Sequence, residues 1–104
     1  MSRANHRHIS DLSNEEMLQL RKQIVLNSSY FDNYENTLGV DVREAKDWFD
    51  GYMIDVYERA VDDGVTDEEF EKDFYGMIDK YDTDAFLIDR FEDWQASLNY
   101  AAYA

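Results

Sequence analysis

The longest helical pattern of apolar residues in this chain lies between Val40 and Gly64. Its apolar residues recur every three or four positions and predict one buried stripe: Val42, Ala45, Phe49, Tyr52, Met53, Val56 and Ala60. The opposite side carries a line of acidic residues: Glu44, Asp47, Asp55, Glu58 and Asp62. No Lys or Arg falls on that line. The pattern therefore predicts an amphipathic helix with one face in a core and one acidic face.

Helix start signals mark the other elements. Ser13, Asp41 and Thr66 each precede a glutamate by three residues, which is the capping-box pattern of a helix N-terminus. Asp82 or Thr83 is placed to cap a last helix. Adding a short helix around residues 30–38, we predict five helices over about 14–27, 30–38, 41–64, 66–81 and 83–98.

These helices define the predicted fold and its core. Apolar residues at helical spacing mark the buried side of the fourth predicted helix: Phe70, Phe74, Met77, Ile78 and Tyr81. No segment alternates with a period of two, and the chain has no proline. We therefore predict an all-α fold, a small orthogonal or bundle-like single domain of residues 12–104 after a flexible N-terminal arm of residues 1–11.

The residues needed for catalysis or metal binding are missing or poorly placed. The chain has no cysteine, which excludes disulfides, thiol catalysis and a cysteine-based zinc site. Both histidines, His6 and His8, lie in the predicted arm, and the four glycines stand too far apart for a phosphate-binding loop. We therefore expect no enzyme, no metal site and no cofactor.

The hydropathy pattern gives an expectation for location. No apolar run approaches the ~20 residues that cross a membrane, and the first residues lack the apolar segment of a signal peptide. We expect a cytoplasmic protein that does not bind membranes.

The charge is high and unevenly distributed. The net charge is −14, and residues 30–104 carry 21 acidic against six basic residues. Such a field opposes direct binding to nucleic acid or to anionic membrane, and it favours a basic protein as partner. A basic nucleic-acid-binding protein is the partner that this charge predicts.

The acidic face can be interpreted in two ways. It could be an ordinary solvated helix exterior, but like charges three and four residues apart destabilise a helix. Alternatively, its carboxylates imitate a nucleic-acid backbone, since they repeat roughly every 4.5–6 Å along the helix axis. Two acidic residues of the next helix would extend such a surface: Glu68 and Glu71.

Four large side chains lie off the predicted apolar stripes: Trp48, Ile54, Tyr57 and Tyr75. Aromatic and apolar side chains beside a charged patch are typical anchors of a protein interface. The alternative is that they pack against a neighbouring helix.

A small, cysteine-free, strongly acidic helical chain resembles the DNA-mimic inhibitors of phages and mobile elements, such as anti-restriction and anti-CRISPR proteins. The resemblance lies in size, in charge and in the acidic and aromatic residues of positions 30–94. It implies an inhibitor that occupies the basic nucleic-acid site of a host defence or regulatory protein in the host cytoplasm. The alternative is a phage or plasmid adaptor or oligomerising protein that uses aromatic contacts, with charge serving solubility. Whether the chain forms a homodimer is left open.

Overall fold

A computed structural model describes residues 7–24 and 38–103, with side chains up to residue 98. These described residues form five α-helices: α1 (Asn14–Ile24), α2 (Val42–Asp62), α3 (Asp67–Lys72), α4 (Phe74–Tyr81) and α5 (Asp84–Tyr103). A short 3₁₀-helix, Ile9–Asp11, precedes α1. The described part of the chain contains no strand, only an isolated bridge between Arg7 and Val40. The prediction of an all-α fold is confirmed.

Two capping boxes form where the sequence predicts them. The Ser13 hydroxyl accepts from the Glu16 backbone N–H at 3.1 Å, and the Glu16 carboxylate accepts from the Ser13 N–H at 2.9 Å. Thr66 and Glu69 make the same reciprocal pair at 3.2 and 3.0 Å. Each box satisfies two backbone donors that the first turn of a helix leaves unpaired, and so fixes the start of α1 and of α3.

The fourth predicted helix, over residues 66–81, is two helices in the structure. Asp73 leaves the helical conformation, with φ −136° and ψ 60°, and ends α3. Its carboxylate accepts from the Gly76 N–H at 3.3 Å and thereby caps α4. The predicted helix over residues 30–38 lies outside the described residues except for Leu38.

One contiguous core holds the helices together. It contains the following residues of α1, α2 and α5: Met17, Leu20, Ile24, Ala45, Phe49, Tyr52, Val56, Ala60, Leu87 and Phe91. The predicted stripe of α2 is buried except for Val42 and Met53, which are half-buried. Because α2 packs on its neighbours through this stripe, its acidic side is left at the surface. No helix in the described residues is long and apolar enough to cross a membrane.

Residues 7–11, predicted to belong to a flexible arm, pack against the domain. Ile9 is fully buried, and the Arg7 backbone N–H donates to the Gly39 carbonyl at 2.9 Å. The Arg7 guanidinium donates two hydrogen bonds to the Glu16 carboxylate, at 2.7 and 2.9 Å, and this contact lowers the pKa of Glu16 to about 2. The packed part of the chain therefore includes residues 7–11.

Candidate functional site

Three of the predicted acidic residues stand exposed on the outer side of α2: Asp47, Glu58 and Asp62. None of them makes a hydrogen bond or ion pair with another described residue. Asp47 and Asp62 are separated by about 22 Å of helix axis. Arg59 and Lys80 line a groove beside Asp62 without an ion pair to it. This side of α2 therefore carries carboxylates that make no ion pair with a described cation, although the charge of Asp47 contributes to the raised pKa of the neighbouring Lys46.

Helix α3 extends this surface with two more exposed carboxylates, Glu68 and Glu71. Tyr57 of α2 joins the two helices, because its hydroxyl donates to Asp67 and its ring packs edge-on against Phe70 at 5.2 Å. The hydrogen bond to Asp67, with smaller effects of burial and of the Glu71 charge, raises the pKa of Tyr57. We call the five unpaired carboxylates Asp47, Glu58, Asp62, Glu68 and Glu71 the acidic surface.

Glu44, predicted to belong to the acidic face, is engaged inside the molecule. Its carboxylate accepts from the Ile9 backbone N–H at 2.6 Å and lies 3.0 Å from His8 Nδ1. Asp41 caps α2, since its carboxylate accepts from the backbone N–H groups of Arg43 at 2.8 Å and of Glu44 at 3.2 Å. The structure therefore does not bring Glu44 into the acidic surface.

Asp55, also predicted for this face, is half-buried and faces a cation from another helix. Arg90 of α5 forms ion pairs with Asp89 at 2.9 Å and with Asp93 at 2.5 Å. The hydrogen bond to Asp89 raises the pKa of Arg90, and the charges of Asp93, Asp89 and Asp55 add to this effect. The sequence places no Lys or Arg on the acidic line itself, but in the structure Arg90 of α5 lines a depression with Asp55, and Arg59 of α2 lines a groove with Asp62.

Trp48 packs largely against the core. Its indole stacks on Tyr52 with 5.5 Å between ring centroids, and it meets Phe49, Phe91 and Trp94 edge-on at 4.9 to 6.2 Å. Trp48 is half-buried, which agrees better with packing against a neighbouring helix than with a role as a fully exposed interface anchor.

Ile54 and Tyr75, in contrast, are each 61% exposed. Ile54 lines an apolar groove of about 300 Å³ between α2 and the α3–α4 pair, together with Met53, Tyr57, Phe70, Phe74 and Ile78. Phe74 is 47% exposed, although the helical period predicted it to be buried. The break at Asp73 restarts the helix, so the spacing across it no longer reports one continuous face. This groove could not be predicted from the spacing of apolar residues.

A second depression, which was also not predicted, lies between α2 and α5. Its volume is about 510 Å³, and it is lined by Asp47, Trp48, Gly51, Tyr52, Asp55, Arg90 and Trp94. It contains both tryptophans of the chain and two of the predicted acidic residues. We call it the tryptophan cleft.

A buried polar network lies at the hydroxyl end of Tyr52. Arg21 and Asp82 are 7% and 8% exposed, with 3.5 Å between Arg21 Nε and Asp82 Oδ2. Tyr52 donates its hydroxyl hydrogen to Asp82, and Arg21 also pairs with Asp84. Burial raises the pKa of Asp82, opposed by the Tyr52 hydrogen bond and the Arg21 charge. This network ties α1 to α2 and to the α4–α5 junction.

The described residues contain no group of three or more His, Asp or Glu side chains that could hold a metal ion. Comparisons of the chain with known protein families, with characterised proteins and with solved structures found no match. No relative therefore supplies a role for any of these residues.

Proposed function

We propose that this protein inhibits a DNA- or RNA-binding protein by placing its acidic surface in that protein's basic nucleic-acid site. The observation that carries this proposal is the set of five exposed, unpaired carboxylates on α2 and α3. The resemblance in size and charge to DNA-mimic inhibitors of phages and mobile elements agrees with it.

The distribution of charge pairs supports a role in binding. Four cations of the described chain pair with carboxylates elsewhere: Arg7, Arg21, Lys46 and Arg90. Glu58 and Asp62, one helical turn apart, have no such partner, although like charges at this spacing destabilise a helix. A basic partner would remove this repulsion, so complex formation would be favoured by charges that oppose folding.

The spacing of the carboxylates suits a site that normally holds phosphates. Glu58 and Asp62 lie about 6 Å apart along the axis of α2, and Asp47 lies about 16 Å further along the same axis. Phosphates rise about 3.4 Å per step along one DNA strand. Binding of this kind weakens steeply with salt, because it depends on exposed charges.

The test is a pull-down from bacterial lysate with this protein as bait, eluted by a salt gradient and identified by mass spectrometry. The variant Glu58→Gln with Asp62→Asn removes two charges from the acidic surface. The matched control, Glu15→Gln with Asp79→Asn, removes the same charges from exposed positions on α1 and α4. We expect a nucleic-acid-binding protein that the control retains and the first variant loses at lower salt.

A competition assay completes the test. Labelled DNA or RNA bound to the captured protein should be released by one equivalent of this chain, and not by the Glu58 and Asp62 variant. Equal inhibition by the Glu58 and Asp62 variant and by the Glu15 and Asp79 control would contradict the proposal. A captured protein that does not bind nucleic acid would also contradict it.

The apolar groove supports a second candidate, a helical adaptor or oligomerising protein. Ile54 lines this groove and is 61% exposed, and Tyr75, equally exposed, packs edge-on against the groove residue Phe74 at 5.4 Å. Exposed apolar side chains that cluster at one groove are typical of a protein interface. For this candidate, Ile54→Ser with Tyr75→Ser should abolish partner capture while the charge variant leaves it intact. Sedimentation of the protein alone distinguishes a homodimer from a monomer that binds another protein.

A further inference from the structure

The tryptophan cleft places aromatic rings and carboxylates around one open space between α2 and α5. The indoles of Trp48 and Trp94 meet at 6.1 Å with 67° between their planes, and Trp48 also stacks on Tyr52. Asp47 and Asp55 line the same depression of about 510 Å³. Rings and negative charge therefore converge on one place.

The charge around this cleft is strongly negative. Arg90 is its one lining cation, and the carboxylates of Asp89 and Asp93 already pair with that guanidinium. Asp47 and Asp55 add two more negative charges at the cleft wall. The Arg90 guanidinium lies over the Phe86 ring, 5.7 Å from its centroid, and no described cation lies over either indole.

We propose that the tryptophan cleft binds one organic cation, the guanidinium of an arginine side chain presented by the basic partner. The identity of the partner rests on the proposed function, but binding of the cation does not. The cleft gives the acidic surface a specific anchor point, because Asp47 belongs to both.

The chemistry of the lining matches a guanidinium. A planar cation is attracted to the face of an aromatic ring, and tryptophan is the strongest partner for this contact. Arg also offers a fork of N–H donors to a carboxylate, such as that of Asp47, while its plane stacks on a ring. A lysine ammonium would gain the charge attraction but not the planar stacking.

Gly51 keeps the entrance of this cleft open. It is exposed in the middle of α2, and a Cβ built there meets no heavy atom within 4 Å. A longer side chain at this position would therefore extend into free space beside Asp47 and Trp48. This gives a variant that blocks the cleft without removing any residue that lines the core.

Other ligand classes fit less well. An inorganic or carboxylate anion would meet Asp47 and Asp55 at the cleft wall, while Arg90 already pairs with Asp89 and Asp93 and its unpaired Nε is buried. An uncharged planar group could stack on the indoles but would gain nothing from the carboxylates. The test must therefore separate charge from stacking.

Tryptophan fluorescence provides the test, because the chain has two tryptophans and both line the cleft. The probe is N-acetyl-arginine amide, titrated at constant ionic strength to about 50 mM, which covers millimolar dissociation constants. The matched probe is N-acetyl-citrulline amide, which has nearly the same shape and no charge. We expect a saturable change in emission with the arginine probe. The citrulline probe should bind with at least fivefold lower affinity.

Variants locate the binding. Asp47→Asn and Gly51→Gln should each weaken the arginine response at least threefold, whereas Asp79→Asn, which removes a charge from α4, should leave it unchanged. Circular dichroism establishes that each variant is folded. Overturning outcomes are no saturable change for the folded protein, equal binding of both probes, or equal binding by the Gly51→Gln variant.

The outcome is separable from that of the proposed function. If the arginine probe binds but no nucleic-acid-binding protein is captured, the cleft is a cation site and the proposed inhibition fails. If an inhibited protein is captured and the probe does not bind, the cleft proposal alone is overturned.

Discussion

Charged side chains occur in two opposite settings in this protein. Around Arg21, the carboxylates of Asp82 and Asp84 lie against a cation that is 7% exposed, and the Tyr52 hydroxyl donates a hydrogen bond to Asp82. On α2 and α3, the acidic surface consists of exposed carboxylates with no cation in contact among the described residues. The buried network around Arg21 connects four helices, whereas the acidic surface connects no helices within the described chain.

The difference shows where charge serves folding and where it does not. A buried charge must be paired, because removing it from water is costly unless an opposite charge and hydrogen bonds replace the water. An exposed carboxylate needs no partner to be tolerated, but a row of them adds repulsion and no internal contact. Stability should therefore respond strongly to substitutions in the buried network, and in the opposite direction to those on the acidic surface.

The largest effect is expected at the buried network. Arg21→Met removes the cation and leaves Asp82 buried beside Tyr52 without a compensating charge. We expect the free energy of unfolding to fall by about 2–4 kcal/mol, measured by urea denaturation. A loss below about 0.5 kcal/mol would mean that this network does not hold the helices together.

A double variant tests the pairing itself. Arg21→Met with Asp82→Asn removes both charges and keeps a hydrogen-bond acceptor for Tyr52. We expect it to recover at least half of the loss caused by Arg21→Met, because most of that loss is the cost of an unpaired buried charge. Strict additivity of the two single losses would contradict this account.

A smaller change of opposite sign is expected on the outer side of α2. Gly51→Ala has space for its Cβ, and alanine is the better helix former. We expect a gain of about 0.5–1 kcal/mol in the free energy of unfolding, again from urea denaturation. The control is Gly39→Ala, at a glycine with φ of 72°, where we expect a loss instead.

The carboxylates of the same face should give a still smaller gain. Glu58→Gln with Asp62→Asn removes one like-charge contact at a spacing of four residues, worth about 0.2–0.5 kcal/mol. The gain should shrink in high salt, because the charges are exposed. Thermal denaturation at low and high salt measures the gain in stability and its decrease with salt. A loss of stability in low salt would indicate that these carboxylates have stabilising contacts.

The smallest expected effect is a pH dependence at the N-terminal segment. The hydrogen bond to Glu44 raises the pKa of His8 above 6.5, its ordinary value. This contribution to stability is complete below the ordinary pKa and is lost as the pH rises through the raised pKa. In a His6→Gln background, the free energy of unfolding should decline slightly from about pH 6 to about pH 8. His8→Gln should remove that decline, and an unchanged decline would assign it to another group.

Local features of the fold were predictable because they depend on spacing along the chain. The capping boxes at Ser13 and Thr66 use residues three positions apart, and the core stripe of α2 follows from the helical period. Asp73 shows the limit of this reasoning. In the sequence, Asp73 looks like one more polar residue of a continuous helix. In the structure, its carboxylate caps a new helix, and Phe74 is exposed.

The acidic surface was predictable only in part, for the same reason. Asp47, Glu58 and Asp62 are exposed because the period of α2 turns them away from its buried stripe. Glu44 shares their spacing but is bonded to Ile9, a residue that reads as part of a polar arm. Nothing within α2 distinguishes Glu44 from the others.

The sequence by itself determined the all-α class, the starts of α1, α2 and α3, the buried stripe of α2 and the excess of negative charge, because these follow from residue type and from distances of a few positions. Only the tertiary structure decided which charges are paired. Arg21 meets Asp84 across 63 positions and Ile9 meets Glu44 across 35, while the charge of Asp55 acts on Arg90 of another helix. Such contacts depend on how helices pack and in which register they meet, which the local pattern of each helix does not specify. The same packing brings Trp48 and Trp94 together in one cleft.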